Sequence, residues 1–382
     1  MESLLDPLLP LFKRERAADR PVALGVLVHT SGSTYRKAGA LILVAASGEY
    51  AGLLSGGCVE GDLGQHAREV IASGRARLLT YDTRGGDDLI WGLGLGCEGA
   101  MRILLLRVGP VEHWQPLGHL CQEFLRRRRT AVGIVSSSVR PDLPEGTLLL
   151  PDGRAQLPGG DAPAPASLSA LQGALAALGN AQASGQPGWF SAEDRERAGA
   201  DWSVFALPLT LPPQLLLLGA GPDAAPLVEF AARLHWRVTL ADHRPVYAQA
   251  AHFPAAERVV LAPPDEILQH VDPAPFEAAV VMSHHFDSDL AYLRALARSS
   301  IGYVGLLGPA VRRERLLSAL GPDSERLRGR LRAPVGLPLG GRSPEEVALA
   351  IAAQIQGFLH EARGTARENA PARPVPSAAS RV

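Results

Sequence analysis

The chain has 382 residues, 46% hydrophobic and 20% charged, with a formal net charge of −1. That is the balance of a globular protein of about two domains, and it excludes a dedicated nucleic-acid or membrane-surface binder, which would carry one dominant sign. Lys13 and Lys37 are the only two lysines, which excludes a Gly-Lys-Ser/Thr phosphate loop, a Tyr-x-x-x-Lys dyad and a lysine base or Schiff base in the C-terminal half.

Cys58, Cys97 and Cys121 include no C-x-x-C pair, so neither a disulfide framework nor zinc-finger spacing is present. The opening residues lack a signal-peptide layout, and no window reaches the roughly 18 uninterrupted apolar residues that a membrane span needs. A cytoplasmic protein with reduced thiols is expected. The basic block Arg126 to Arg129 reads as a solvated helix terminus.

Residues 1–20 read as a helix, with Leu4, Leu5, Leu8, Leu9 and Phe12 on one side. Strands follow at 21–29, 40–45 and 50–54. The first ends in the polar turn Thr30-Ser31-Gly32-Ser33-Thr34, directly before Tyr35-Arg36-Lys37, and Ser47-Gly48 marks a hairpin.

The third strand runs into Ser55-Gly56-Gly57-Cys58-Val59-Glu60 and a helix to about residue 73. Two glycines there permit positive φ and an anion-accepting concavity of amides. Cys58 stands at the helix N-terminus, where the dipole favours thiolate; the plainer reading is a small buried hydrophobe in a tight turn. If the strands pair as a meander, Ser33, Arg36 and Lys37 come to the Gly56-Gly57-Cys58 loop, although a charged pair flanking an exposed strand is the simpler account of Arg36 and Lys37.

A strand is expected at 76–82, then a glycine-rich loop ending Gly94-Leu95-Gly96-Cys97-Glu98-Gly99, then a strand at 101–108. Long loops of this kind more often carry function than core, so Cys97 is placed near Cys58. The helix at 113–128 carries Cys121 on its apolar side. A strand at 131–136 precedes the Pro-, Gly- and Ala-rich stretch 140–188, read as an insertion with a short helix at 168–178, and the strand at 202–209 closes a domain of residues 1–210.

From Gln214 the pattern changes. The apolar run 214–218 enters Gly219-Ala220-Gly221-Pro222-Asp223-Ala224, a helix follows, and a strand at 237–241 ends in Asp242. Strand, glycines, helix, strand and acidic terminus in that order predict a Rossmann-type half, its helix start receiving a pyrophosphate and Asp242 a ribose hydroxyl. Further strands at 258–261, 278–282 and 303–306 alternate with helices, which predicts a parallel, doubly wound sheet over 211–362. Residues 363–382 are expected to be disordered. The fold class is therefore α/β, an N-terminal α+β domain followed by a Rossmann-like domain. His284 and His285 follow a strand, where an imidazole near Asp287 or Asp289 could serve acid-base or metal chemistry; a helix cap is the commoner arrangement.

Several stretches together resemble the XdhC/CoxI family of molybdenum-cofactor accessory proteins: 32–40 (Gly-Ser-Thr-Tyr-Arg-Lys-Ala-Gly-Ala), Gly56-Gly57-Cys58-Val59-Glu60, Gly94-Leu95-Gly96-Cys97, the Gly219-Ala220-Gly221 turn with Asp242-His243-Arg244-Pro245, 282–308, and 335–337 with 343–348. The resemblance implies binding of molybdenum cofactor, as molybdopterin in mono- or dinucleotide form. It further implies protection of the cofactor during sulfuration, and delivery to a molybdenum hydroxylase of the xanthine or carbon-monoxide dehydrogenase type. A sulfurtransferase or cysteine desulfurase is then a second partner, with a homodimer left open.

On that reading Cys58, as a molybdenum-facing thiolate, and Cys97 meet the soft end of the cofactor. Ser33, Arg36, Lys37, Gly56 and Gly57 surround its phosphate, and Gly219, Gly221, Asp242 and Arg244 hold NAD(P), another nucleotide or the cofactor's phosphate arm. The protein would have no turnover of its own. The contrasting reading is an NAD(P)-dependent oxidoreductase with His284 or His285 as acid-base and Arg244 near a 2′-phosphate, and a third is a scaffold needing neither cysteine. Two departures from the family pattern are Pro222, which removes an N–H from the helix start, and Pro309 after Gly308.

Overall fold

The apolar run after Pro21 becomes β1 (Val22–Gly32), the central strand of an antiparallel sheet with β2 (Leu41–Ala45), β3 (Tyr50–Gly52), β4 (Arg77–Asp82) and β5 (Gly99–Val108). The computed structural model describes residues 5–57, 59–82, 99–160, 168–193 and 200–368. Strand order in this sheet is β3-β2-β1-β5-β4, with Val22 opposite Ala45 on one side and Val108 on the other.

Because β1 is buried on both faces its side chains divide by parity. Val22, Leu24 and Val26 join the core that includes α1 (Leu9–Ala17), while Ala23 and Leu27 face α2 (Glu60–Ser73) through Leu63, Ala67 and Val70. The spacing of those three residues is that of one helical face. The helix ends at Gly74, whose φ of 70° is the left-handed C-terminal conformation that glycine adopts without strain.

A second antiparallel sheet, in order β8-β7-β6-β10-β9, consists of β6 (Ala131–Ser138), β7 (Leu148–Leu149), β8 (Ala155–Gln156), β9 (Gly188–Glu193) and β10 (Ala200–Pro208). Val132, Ile134, Phe205 and Leu207 share a core with β1 and with α3 (Leu117–Leu125). The stretch 140–188 thus carries β7, β8 and α4 (Leu168–Ser184). Ala174 and Ala181 of α4 are fully packed against the second sheet, where small side chains allow close approach. By its contacts the chain divides into two compact units, and these elements belong to the first, Ser3–Leu211.

The second unit, Pro212–Val382, holds six parallel strands: β11 (Gln214–Leu218), β12 (Arg237–Asp242), β13 (Arg258–Leu261), β14 (Ala278–Val281), β15 (Tyr303–Leu306) and β16 (Leu331–Arg332). Their order β13-β12-β11-β14-β15-β16 is the 3-2-1-4-5-6 arrangement of a Rossmann domain, with its switch point between β11 and β14. One face packs on α5 (Ala224–Arg233) through Leu227 and Val228, together with α10 (Pro344–Glu368) through Ile351 and Ile355. After the short α6 (Ile267–His270), the other face is covered by α7 (Phe286–Ala297) and α8 (Ala310–Leu320), and α9 (Asp323–Arg326) completes the helices.

Arg330, leading into β16, donates to the carbonyls of Leu296, Ala297, Ser299 and Ile301 where α7 ends. Among the described residues no helix is long and apolar enough to cross a membrane.

Candidate functional site

The hairpin pairing of β1, β2 and β3 brings the polar turn at residues 30–37 beside the glycine loop that enters α2. Arg36 Nε donates to the Leu53 carbonyl at 3.2 Å. Within the turn the Thr34 hydroxyl donates to the Arg36 carbonyl at 2.8 Å and accepts from Lys37 Nζ at 3.3 Å. The exposed Tyr35 ring lies alongside Gly56, where an added Cβ would stand 3.9 Å from Tyr35 Cδ2. The end of the glycine-rich stretch arrives at the same turn: a Cβ on Gly99 would collide with the Ser33 carbonyl oxygen and lie 2.8 Å from that of Ser31. The turn that carries Ser33, Arg36 and Lys37 thus borders the start of the glycine loop through Arg36 at Leu53 and Tyr35 at Gly56. Cys58 and Cys97 lie outside the described residues.

Gly56 and Gly57 have φ of 89° and 110°, the conformation anticipated for them. Their loop is organised differently from the open anion cradle that the sequence suggested. The Glu60 carboxylate reaches back from the first turn of α2 and accepts from the amides of Leu54 (3.0 Å), Ser55 (2.9 Å), Gly57 (3.1 Å) and Val59 (3.2 Å), and from the Ser55 hydroxyl. The concavity is filled by the chain's own anion. Burial of Glu60 works against ionisation, but the Ser55 hydroxyl and the amides of Ser55 and Leu54 outweigh it and hold the carboxyl below its usual range. The sequence reading gave Glu60 no role; its position in the first helical turn, three residues after a glycine, is the reach-back pattern of a capping carboxylate.

Cys121 packs against the core of the first unit, partly buried, and burial pushes its thiol up to about 11. It is a structural residue, as its place on the helix implied.

In the second unit the turn after β11 meets the ends of β12 and β14. Asp242, fully buried, accepts the Ala220 amide at 2.7 Å, and also the Arg244 amide, Nε and Nη2 at 2.9, 2.9 and 2.7 Å. Four donors fill the acceptor capacity of a carboxylate. Burial opposes ionisation of Asp242, and the Arg244 guanidinium with the two amides overcomes it, leaving the carboxyl below its usual range. Asp242 is thus engaged internally instead of presenting itself to a ribose. Arg244, expected near a 2′-phosphate, is engaged by Asp242, its guanidinium 4.2 Å over the Tyr247 ring.

The histidines after β14 find partners other than those the sequence suggested. His284 Nε2 stands 2.8 Å from Asp223 Oδ2, and His285 Nδ1 stands 3.2 Å from the Ser288 hydroxyl. Asp289 instead accepts from Ser283 and from Arg312 at 2.7 Å. Among the described residues no group of three or more His, Cys, Asp or Glu could hold a metal ion.

Architecture and site define a two-unit α/β protein whose C-terminal half is a Rossmann domain. The XdhC Rossmann domain family matches residues 215–355, and the XdhC and CoxI family matches residues 15–82. The chain belongs to the XdhC and CoxI family. It is 32% identical over 334 residues to a protein of Bacillus subtilis described as a probable xanthine dehydrogenase subunit, covering 87% of this chain and 91% of that protein. It is 30% identical over 179 residues to the uncharacterized protein YqeB of Escherichia coli, covering 44% of this chain and 31% of that one. The crystal structure of a xanthine dehydrogenase from Bacillus halodurans is similar with a TM-score of 0.74 at 26% identity, covering 97% of this chain and 98% of that one.

Proposed function

We propose that this protein is an accessory factor that receives molybdenum cofactor, supports its sulfuration and passes it to a molybdenum hydroxylase of the xanthine-dehydrogenase type, in the cytoplasm and without a reaction of its own. The observation that carries the reading is the junction of the Ser33–Lys37 turn with the loop that Glu60 braces on either side of residue 58. Support for the client comes from likeness, over nearly the whole chain, to two proteins described as xanthine dehydrogenase or as part of it.

In this reading the cofactor is cargo. Cys58, as thiolate, meets its soft molybdenum and sulfur end. Arg36 and Lys37, from the neighbouring turn, meet its phosphate. Because Glu60 already takes the amides of Leu54, Ser55, Gly57 and Val59, the cations take the anionic arm and the loop supplies position. Cys97 joins Cys58 at the soft end, and a sulfurtransferase is the source of sulfur.

The test is retention of molybdopterin cofactor by the purified chain after gel filtration. Wild type is expected to retain it and Cys58→Ala to retain several-fold less. Equal retention by both removes the assignment of Cys58, and no retention by wild type removes the accessory reading.

A further inference from the structure

In doubly wound sheets the glycine turn after the first strand leaves amides and a helix N-terminus open to a dinucleotide's pyrophosphate. Here the chain engages four of those amides itself. The amide of Gly219 donates to the Ala241 carbonyl and that of Ala220 to Asp242. Pro222 has no N–H, and the amides of Ala224 and Ala225, at the start of α5, turn back to the carbonyls of Gly221 and Pro222.

The glycines are also accounted for internally. A Cβ on Gly219, whose φ is 124°, would lie 2.6 Å from the backbone of Met282 and Ser283. A Cβ on Gly221 would lie 2.5 Å from Asp223 Oδ1. The second glycine, which in a dinucleotide site makes room for phosphate, here makes room for a carboxylate.

That carboxylate does not cap α5; it reaches His284 instead. His284 is held at φ of 62°, a conformation costly for a non-glycine residue and retained where the surroundings require it. The segment is fixed from behind, since Asp289 holds the Ser283 amide and hydroxyl and is itself held by Arg312.

We propose that Asp223, braced by His284, is a specificity-determining residue that closes this glycine turn to pyrophosphate-linked dinucleotides. A negative charge stands beside the place of the pyrophosphate, while the amides of Gly219, Ala220, Ala224 and Ala225 are already engaged and Pro222 has none to give. The inference does not depend on the accessory role proposed above and is tested apart from it.

The full chain and the variants Asp223→Asn and Asp223→Ala are titrated with NADH and NADPH, following nicotinamide fluorescence and heat. Wild type is expected to show no saturation at millimolar ligand, and the variants to bind about tenfold more tightly or better, from removal of one like charge at close range. Asp223 is a partly exposed helix-start residue, so whichever variant melts with the wild type is sufficient. Saturable micromolar binding by wild type overturns the proposal, as do variants that bind no better.

Discussion

Replacing Glu60 by alanine removes one carboxylate and leaves several donors without a partner. Leu54 and Ser55 are buried, so their amides cannot turn to water, whereas the exposed Gly57 amide can and the Val59 amide keeps the Ser55 hydroxyl oxygen at 3.0 Å. At about 1 kcal/mol or more for each orphaned buried amide, Glu60→Ala should cost about 2 kcal/mol. In a unit of this size that is a fall of about 4–8 °C in melting temperature. Glu60→Gln keeps one acceptor oxygen but turns an NH2 group toward other donors, and should fall between alanine and wild type. Scanning calorimetry on the full chain reads the transition of the first unit.

The pH dependence has a fixed sign. Since the folded carboxyl of Glu60 is depressed below its ordinary value of 4.5, its contribution is complete above about pH 4.5 and is lost as the pH falls below that. The alanine variant should therefore approach the wild type in acid. A melting temperature for Glu60→Ala within about 2 °C of wild type at neutral pH, or a difference that widens in acid, would refute the bracing argument.

Gly99→Ala should lower the melting temperature by several degrees, because its Cβ meets backbone carbonyls of the Ser31–Thr34 turn, which cannot rotate away, at about 1–3 kcal/mol of overpacking; cofactor retention should fall with it, and an unaltered melting curve would show that the two backbones are further apart. Glu15 is held down to about 2, chiefly by hydrogen bonds from Arg20, with burial opposing and Arg14 assisting. Its stabilisation is thus complete above pH 4.5 and lost between there and about 2. Glu15→Gln should show a flatter acid-unfolding profile across that window, and a parallel profile would count against the pairing.

The elements legible in the sequence are those whose cause is local. The run 214–218 with its glycines and Asp242 announced β11, α5 and β12, because periodicity and turn chemistry are written in adjacent residues. The helix expected at 113–128 shrank to Leu117–Leu125, since His113, Trp114 and Arg127 take positive φ, which no helix contains. Nothing local marks His284 as the partner of Asp223, which precedes it by 61 positions. Nor could composition show that the alanines of 168–184 pack beneath a sheet. At the site, the glycine pair was legible in its conformation and misleading in its use: Gly57 φ fits an anion cradle, and only the fold shows that Glu60 is the anion.

The anchoring of Arg330 also bears on how this protein meets other chains. An exposed strand margin is a template on which a foreign strand can extend a sheet. Here the outermost strand is the two-residue β16, and the residue leading into it is tethered to the carbonyls at the end of α7. So blunt a border offers almost no ladder to copy, and any other chain has to engage side-chain surfaces instead of continuing the sheet from that side.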